Sequence, residues 1–523
     1  MTQYLALTIG PIDKTIRQAR HTKELWAASF LFSSLMKHLL FALDPDNSRT
    51  ILPRKDIARP DLPLFGAGIF PDRLFMEAQG MTRQSVDTAI NTALKALAAE
   101  TLPSQTDSAT VEAALDFWRR YLRIEYVLLP LDALKGGALV TRTTPYLDTQ
   151  ELADTWIHEA AGPDFLTELL TGIYKLPLSE PLKKSKGVYD GFMSGFFPST
   201  DEIASLELWQ QFPDAYRSIK KNTPEDEHDL VYRNLEQDER IRPALRDHHK
   251  YFCIVYADGD YIGKTIAQLN TENEYREFSR LLSGFAANSA QLINAFGGKP
   301  VYIGGDDLLF LAPVYSEKGS ILELLTALDE AFGALNLQGN PTLSFGVCVV
   351  YYKYPLFESI EIAYRQLLAA KSYRKGTAGK NAVGISLIKH SGSEFEFILN
   401  KTFLAKLVAA QRALRGKTSE TLLSSLVYKL RTLERLLVTA LDHAGPAQAG
   451  ARLEHLLGHY FNDSFTGGRD IDAQKQAVSE LILTAWKHSP DGPGGASAAW
   501  ANHLYGALRL LKFITDQPKT VPA

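Results

Sequence analysis

Residues 251–388 alternate strand-like and helix-like segments in an order that few folds accommodate. The run YFCIVYA at 251–257 is apolar and has the length of a strand. A helix-period pattern then ends at Gly297-Gly298, and the short runs VYI and LLFLAP enclose the tetrapeptide GGDD at 304–307. A second helix pattern and the strand-like TLSFGVCVVYYK at 342–353 follow. This order, β-α-β-β-α-β, is that of a split β-α-β unit.

The order predicts a ferredoxin-like domain, with helices on one face of an antiparallel sheet. The first strand should lie at the centre of the sheet, beside the strand that leads into the hairpin. A third helix at 358–371 and a last strand at 382–388 extend the unit. Side chains at the end of the first strand and at the hairpin tip should therefore meet at one edge of the sheet.

The chain as a whole is predicted to be an α+β multidomain protein, because 523 residues exceed what one hydrophobic core usually serves. Residues 1–135 alternate strand and helix patterns, including one long helix over residues 12–42. A helical pattern at 146–175 and a charged linker at 218–247 lie within 136–247, and the hairpin unit fills 248–399. Residues 400–523 have an almost entirely helical pattern, with helices predicted at 402–415, 418–443, 450–460, 472–487 and 498–514. We predict an α+β domain, a mainly helical middle domain, a second α+β domain and a C-terminal α-helical bundle.

Overall charge gives no support for nucleic-acid binding, because the net charge is −4 and the isoelectric point is about 6.3. Any such contact must come from local basic groups. Candidates are Arg17, Arg20 and Lys23, together with the KKSK loop at 183–186. A solvated surface is the ordinary interpretation of most such groups.

The two cysteines, Cys253 and Cys348, both lie in apolar runs. Two cysteines provide neither a disulfide framework nor a four-cysteine zinc site, so we expect no zinc and a reducing compartment. The first twenty residues lack the pattern of a signal peptide, and no apolar run looks long enough to span a bilayer. The protein is therefore expected to be cytoplasmic and to have no membrane partner.

Four carboxylates are predicted to meet at the sheet edge. Asp258 and Asp260 end the first strand, and Asp306 and Asp307 lie at the hairpin tip. Glycine–aspartate pairs also form ordinary turns, and GGDD alone would be read that way. Carboxylates so close together repel one another unless cations are bound. The pairing of two acidic ends therefore favours a site for two Mg²⁺ or Mn²⁺ ions, suited to phosphoryl transfer.

Glycines and lysines near these acids suggest a nucleotide. Gly259, Gly304 and Gly305 leave room for a ligand beside the backbone and permit a tight turn. The stretch GDYIGKT resembles a phosphate-binding loop, but only three residues separate its glycines, so that motif is excluded. Backbone N–H groups near Tyr261, Ile262 and Gly263 still offer phosphate contacts. Lys264 offers a further one.

Positive charge also follows the third helix, at Lys371, Arg374, Lys375 and Lys380. These side chains suit the attraction of a triphosphate. They equally suit a basic helix C-terminus that complements the helix dipole, and the sequence leaves both interpretations open.

The segments ADGDYIG, YIGGDDLLFLAP, LSFGV and AAKSYRKGTAGKNAVGI, in this order, resemble a known family of palm domains. That palm domain is shared by diguanylate cyclases and the large subunit of type III CRISPR effector complexes, and the form GGDD points to the CRISPR subunit. Residues 7–35 are similar to the start of the first, degenerate palm domain in the Cmr type of that subunit. The resemblance implies two palm domains of the adenylyl cyclase/GGDEF type.

The resemblance implies a function and roles for individual residues. The family makes cyclic oligoadenylate second messengers from ATP in antiviral defence, when target RNA pairs with the guide RNA of the complex. Asp258, Asp306 and Asp307 would be catalytic and would hold metal together with Gly259. Ser29 would help to bind a second ATP across the domain interface. Partner subunits, guide RNA and target RNA follow from the same resemblance.

Some family members begin with an HD nuclease domain, and no such His-Asp metal signature occurs in this sequence, so we expect no DNase activity. Three alternatives remain open at this point. The fold could join AMP to another acceptor such as S-adenosylmethionine, act as a scaffold whose catalysis is dispensable, or work as a stand-alone diguanylate or nucleotide cyclase.

Overall fold

The structure is a computed structural model. It describes residues 1–46, 48–53, 67–102, 107–152, 198–221, 228–373, 379–414, 423, 427–428, 432, 434–441, 445–460, 472–488 and 499–515. Predictions for the KKSK loop at 183–186, for Arg374 and Lys375, and for most of a helix at 418–443 fall outside these residues. The four domain boundaries stay predictions.

The N-terminal part is a four-stranded antiparallel sheet covered by helices. Its strand order is β2-β3-β1-β4, and Leu5 of the central strand pairs with Met76 on one side and Leu128 on the other. The elements are β1 (Thr2–Gly10), α1 (Ile12–Ile16), α2 (Thr22–Leu43), β2 (Thr50–Leu52), β3 (Arg73–Glu77), α3 (Arg83–Glu100), α4 (Ser108–Tyr121) and β4 (Arg123–Leu131).

The prediction of one long helix over residues 12–42 was wrong, because the chain turns between α1 and α2. The turn is held by Glu24, whose carboxylate accepts hydrogen bonds from the backbone N–H groups of Arg20 (2.8 Å) and His21 (3.4 Å). A side chain that caps the free N–H groups of a helix start stabilises a new helix at that point.

Helix α2 corrects the expectation that no apolar run is long enough to span a bilayer. By length and composition alone it could cross a membrane, and 72% of its most apolar window is buried within the protein. Leu25, Trp26 and Leu35 are fully buried there and form part of the main hydrophobic core. A core helix buried on most of its faces is apolar all round for that reason.

The middle part contributes short helices; the first buries Leu139 and Leu147 in a separate hydrophobic cluster, and the others join the same core. They are α5 (Ala138–Leu152), α6 (Thr200–Ala204), α7 (Leu206–Gln211), α8 (Pro213–Lys221) and α9 (His228–Gln237), with 3₁₀ turns at Lys135–Gly137, Arg242–Ala244 and Asp247–Lys250. The helix predicted over 146–175 is described only to Leu152. In the charged stretch 218–247, helix α9 buries Tyr232 and Leu235, so that part of the stretch is a helix with one core-facing side.

A six-stranded sheet forms the second α+β part, in the order β12-β11-β10-β5-β7-β6. Its strands and helices are β5 (Tyr251–Asp260), α10 (Ile262–Ile266), α11 (Glu272–Phe296), β6 (Lys299–Gly304), β7 (Asp307–Pro313), β8 (Tyr315–Ser316), β9 (Gly319–Ser320), α12 (Ile321–Gly333), β10 (Thr342–Tyr351), α13 (Leu356–Lys371), β11 (Ala382–Ile388) and β12 (Glu394–Asn400). Strand β12 was not predicted.

Three details of the predicted sheet were wrong. Strand β5 is central, but its neighbour is β7, which leaves the hairpin, while β6 lies at the edge. The sheet is mixed, because β10 and β11 are parallel. Its helices cover both faces: α11 and α12 pack with Val255 and Phe310, and α13 packs with Ile254 and Cys348 on the opposite face. Alternating strand residues point to opposite faces, so both faces are apolar.

The C-terminal part packs helices against the α11–α12 face of this sheet. They are α14 (Lys401–Ala413), α15 (Gly445–Tyr460), α16 (Asp472–Lys487) and α17 (Ala499–Thr515). Trp486 and Leu508 are buried in the same hydrophobic cluster as Phe345 and Val347 of the sheet. Gly506 approaches so closely that a Cβ there would lie 2.4 Å from the Phe397 ring. These helices therefore continue the core of the sheet.

Candidate active site

The carboxylate edge forms where β5, β6 and β7 end. Ala257 of β5 pairs with Leu308 of β7, so the next residues along, Asp258 and Asp307, lie at the same end of neighbouring antiparallel strands. The turn between β6 and β7 contains Gly305 with φ of +89°, a left-handed conformation that glycine adopts without strain. The turn brings Asp306 to the same place.

Gly259 is the point of closest approach within this cluster. Its backbone N–H favours the ionised form of the Asp306 carboxyl and so acts to lower the pKa of that group. A Cβ at residue 259 would lie 2.5 Å from Asp306 Oδ2, too close for any side chain. The absence of a side chain at Gly259 therefore allows the ends of β5 and the hairpin to meet.

The acids at this edge interact strongly. Desolvation in the cluster and the charge of Asp258 raise the pKa of Asp306 to about 6. The same two effects, followed by the charge of Asp306, raise the pKa of Asp307 above its usual range, although the Asp307 side chain opens to solvent. Carboxylates that raise each other's pKa gain most from a bound cation.

Lys371 supplies a positive charge to the cluster. It is the last residue of α13, and its ammonium donates hydrogen bonds to Asp258 Oδ1 and, at 3.4 Å, to the Gly259 carbonyl oxygen. The Lys371 side chain is 19% exposed and that of Asp258 is 35% exposed, so both members of the pair are partly open to solvent. Helix α13 thus places the Lys371 ammonium at the end of β5, beside an aspartate that lies 113 residues earlier in the sequence.

Asp260 plays a different part from the other acids. It is fully buried, and its Oδ2 accepts hydrogen bonds from Ser344 Oγ (2.7 Å), Thr342 Oγ1 (2.9 Å) and the Asn381 backbone N–H (2.9 Å). Among the described residues its Oδ1 has no hydrogen-bond partner. The expectation of four clustered acids therefore reduces to three, because Asp260 ties β5 to β10 and to the turn before β11.

The segment after β5 places basic groups near an aromatic ring. Tyr261 adopts φ of +63° and donates its hydroxyl to the Gly379 carbonyl oxygen (3.0 Å). The ammonium groups of Lys264 and Lys380 lie 4.3 Å and 4.9 Å from the centre of the Tyr261 ring. Two lysines within cation–π distance of one ring form a positive patch next to the acidic edge.

The remaining predicted contacts in this segment are more modest. Ile262 is partly buried, and its side chain packs against two of the hydrophobic clusters. A Cβ at Gly263 would meet no atom within 4 Å, whereas a Cβ at Gly304 would lie 1.9 Å from the Tyr302 hydroxyl oxygen.

Ser29 lies elsewhere. It is 2% exposed and donates its hydroxyl to the Val301 carbonyl oxygen of β6 (2.8 Å). A buried hydroxyl whose hydrogen bond is already made does not favour a contact with ATP, and the nucleotide-binding role of Ser29 stays a prediction. Gly68 continues the same contact: it accepts from the Ile303 N–H (2.7 Å) and donates to Val301 (3.0 Å). The N-terminal part thereby pairs with the free edge of β6.

Asp72, immediately before β3, was not predicted. Its charge contributes to the raised pKa of Asp307, after desolvation, Asp258 and Asp306. A signal for it existed in the sequence: Asp72-Arg73 precedes a strand-like run, just as Asp306-Asp307 does. Arg17, one of the local basic groups considered for nucleic-acid contact, forms ion pairs with Asp13 and Glu361.

A second group of metal-ligating side chains is buried where the middle part meets β5. The Nε2 atoms of His248 and His249 lie 3.2 Å and 2.8 Å from Glu207 Oε2. The expectation of no zinc considered cysteines alone and overlooked these donors. However, His249 Nδ1 accepts the Arg246 backbone N–H (3.0 Å), so a neutral His249 carries its proton on Nε2 and donates it to Glu207. A metal on that nitrogen would require the opposite tautomer.

Two domain families match the chain. The family "Cas10/Cmr2, second palm domain" matches residues 251–384, and "CRISPR-associated protein Cmr2, N-terminal" matches residues 4–100. The first range contains Asp258, Asp306, Asp307 and Lys371.

A curated relative is the CRISPR system Cmr subunit Cmr2 of Pyrococcus furiosus, with 29% identity over 171 residues. The match spans 28% of this chain and 19% of that relative.

Solved structures show the same overall fold. The apo state of a type III-B Cmr-beta complex contains a chain with a TM-score of 0.59 and 11% identity, covering 86% of this chain and 76% of that chain. A Csm1-Csm4 cassette in complex with cA4 has a TM-score of 0.51 and 14% identity, covering 98% and 70%. The resemblance inferred from the motifs is thus confirmed: residues 4–100 and 251–384 match the Cmr2 N-terminal and Cas10/Cmr2 second palm families, and the chain is similar to the Cmr-type large subunits of type III CRISPR complexes.

Proposed function

We propose that this protein is the nucleotidyltransferase subunit of a type III CRISPR effector complex and converts ATP into cyclic oligoadenylates. The observation that carries the proposal is the carboxylate edge, where Asp258, Asp306 and Asp307 converge beside the Lys371 ammonium. A structural neighbour of the same fold was solved in complex with cA4.

The residues at this edge fit divalent cations. Asp258, Asp306 and Asp307 offer hard carboxylate oxygens, the Gly259 carbonyl oxygen faces the same lysine as Asp258, and the acids raise one another's pKa. Bound Mg²⁺ or Mn²⁺ would neutralise charge on the reacting phosphate and lower the pKa of the attacking hydroxyl.

The reaction itself is a displacement at phosphorus. A bond forms between the 3′-oxygen of one ATP and the α-phosphorus of another, and the bond to the β-phosphate oxygen breaks. Pyrophosphate leaves, and the proton of the 3′-hydroxyl passes to solvent or to a neighbouring base. Lys264 and Lys380, placed beside Tyr261, provide positive charge for the departing phosphates. Repetition and ring closure give a cyclic product.

The wider setting forms part of the same proposal. Other type III subunits, guide RNA and target RNA would be the partners, as the family resemblance implies, and the complex would work in the cytoplasm. Binding of target RNA would switch synthesis on. A stand-alone cyclase would need no RNA, so activity that is independent of RNA would contradict this part of the proposal.

The test is the double substitution Asp306→Ala with Asp307→Ala in the assembled complex. With radiolabelled ATP and target RNA we expect no cyclic product and no pyrophosphate release, because two of the three acids are gone, while complex assembly is unchanged. A matched control is Glu112→Gln with Asp116→Asn, two exposed acids on α4. Near-normal product from the double alanine variant would show that other residues perform the reaction.

The same assay addresses the alternatives. If added S-adenosylmethionine gives an AMP-linked product, the acceptor of AMP is S-adenosylmethionine and the proposed cyclic product is wrong. No product from the unmodified complex under either condition would leave only the scaffold role.

A further inference from the structure

We infer that Lys371 takes the place of a divalent cation when none is bound, and that it moves from Asp258 to a nucleotide phosphate when the cation arrives. The inference rests on the proposed function, since it assumes that this edge binds a divalent cation and a nucleotide. Lys371 would then be a positioning residue that couples metal binding to phosphate binding.

The contacts of Lys371 provide the first reason. Its ammonium donates to Asp258 Oδ1 and faces the Gly259 carbonyl oxygen at 3.4 Å. These oxygens are two of those that a divalent cation at this edge would bind. One set of oxygen atoms cannot hold the ammonium and coordinate a metal ion at the same time, so the two cations compete.

Charge provides the second reason. Asp258, Asp306 and Asp307 together carry three negative charges when ionised, and Lys371 supplies one positive charge among them. Carboxylates without a counter-charge repel one another and destabilise the fold. Lys371 therefore keeps the strand ends together before a metal ion binds.

The position of Lys371 provides the third reason. It ends α13 and reaches the carboxylate edge on a flexible four-carbon stem, with the side chain still 19% exposed. After leaving Asp258, its ammonium needs a new anion nearby. A triphosphate drawn to the neighbouring Lys264 and Lys380 would provide one.

The direct test measures the chemical reactivity of Lys371 in the full-length protein. Reductive methylation followed by peptide mass spectrometry reports whether each ammonium is free or paired. We expect added Mg²⁺, without nucleotide, to increase labelling of Lys371 several-fold, and a non-hydrolysable ATP analogue to reduce it again. Lys406, in an exposed pair with Glu480 (2.8 Å) on the C-terminal helices, should show no such change.

A second test measures Mn²⁺ affinity without nucleotide, by electron paramagnetic resonance of free Mn²⁺. Lys371→Met removes the competing cation and should lower the Kd for Mn²⁺ roughly tenfold. Lys371→Arg keeps the charge and should stay near the original affinity, and Lys406→Met serves as the matched control. Thermal denaturation in EDTA should show lower stability for Lys371→Met, restored by Mn²⁺.

The outcomes separate this inference from the proposed function. The exchange would be overturned if added Mg²⁺ left the labelling of Lys371 unchanged. It would also be overturned if the Lys371→Met variant bound Mn²⁺ no more tightly than the unmodified protein. If labelling and Mn²⁺ affinity behave as expected while the complex makes no nucleotide product, the exchange stands and the proposed function fails.

Discussion

The two sheets of this protein begin with the same sequence of elements, and they differ at the point where chemistry would occur. Strand β1, helix α1 and helix α2 correspond to β5, α10 and α11. The helices start at residues 12 and 22 in one case and at 262 and 272 in the other, a constant offset of 250. At that offset IDKTIRQ aligns with IGKTIAQ. Glu24 and Glu274 cap their helices in the same way.

The strand order is also shared, β4-β1-β3-β2 in one sheet and β10-β5-β7-β6 in the other. Thr8 then corresponds to Asp258 and Ile9 to Gly259. From the strand pairings, Asp72 corresponds to Asp306, and Arg73 takes the position of Asp307. One acid of the three is therefore present in the first sheet.

The difference lies in how the charge is balanced. In the first sheet Arg73 is held by Asp148 (2.6 Å) and Glu151 (3.3 Å), and Thr8 donates to Glu151 (2.7 Å). A permanent guanidinium stands where the second sheet has an acid, so the first sheet needs no metal ion. The same backbone thus supports a closed ion-pair network in one copy and an open acidic edge in the other.

The largest expected effect comes from making the second sheet like the first. Asp258→Thr should lower the rate of product formation at least about 100-fold, because it removes a ligand for cations that stabilise the transition state. Radiolabelled ATP turnover in the assembled complex measures this.

Thr8→Val is the matched control, since it removes a hydroxyl at the corresponding position of β1. It should leave product formation within about twofold. If Asp258→Thr retained most of its activity, the carboxylate edge would not be the distinguishing feature of the second sheet.

A smaller effect is expected where the first part closes the edge of the second sheet. Gly68→Ala would place a Cβ 2.4 Å from Ser29 Oγ, so we expect a loss of about 2 kcal/mol in the free energy of unfolding, measured by urea denaturation.

Ser29→Ala removes that oxygen together with its hydrogen bond to Val301, a loss of about 1 kcal/mol. The double variant should lose less than the sum of the two single losses, because the clash is relieved. Additive losses would mean that Gly68 and Ser29 do not meet.

The smallest expected effect concerns the buried His249, which lies just before β5. Burial and the neighbouring His248 lower the pKa of His249 to about 4, against 6.5 in the unfolded chain. Between these values the unfolded state binds more protons, so stability decreases as pH falls. From pH 7 to 5.5 the loss attributable to His249 should be about 1 kcal/mol.

His249→Gln should show a correspondingly flatter dependence over the same range, measured by denaturation at each pH. Glu207, whose pKa is strongly lowered by its hydrogen bonds with the two histidines despite desolvation, does not titrate in this interval. An equal slope in both proteins would show that His249 is not the group responsible.

Much of the framework was predictable because it depends on local patterns. Helix α16 was predicted at residues 472–487 and is found at Asp472–Lys487. The 250-residue duplication was also readable in the sequence, but its period is too long to notice without aligning the two halves. The split between α1 and α2 depends on the capping glutamate Glu24, which is a local signal within the sequence.

The sequence by itself determined that acids end β5 and occupy a glycine turn, since strand periodicity and the φ of Gly305 are local properties. Only the tertiary structure decided which acids meet. Asp260 accepts hydrogen bonds from Ser344, Thr342 and Asn381. Lys371 contacts Asp258 from the end of α13, and Ser29 donates a hydrogen bond to β6. Periodicity shows which side chains are buried, but it does not specify the distant partners that their polar groups find.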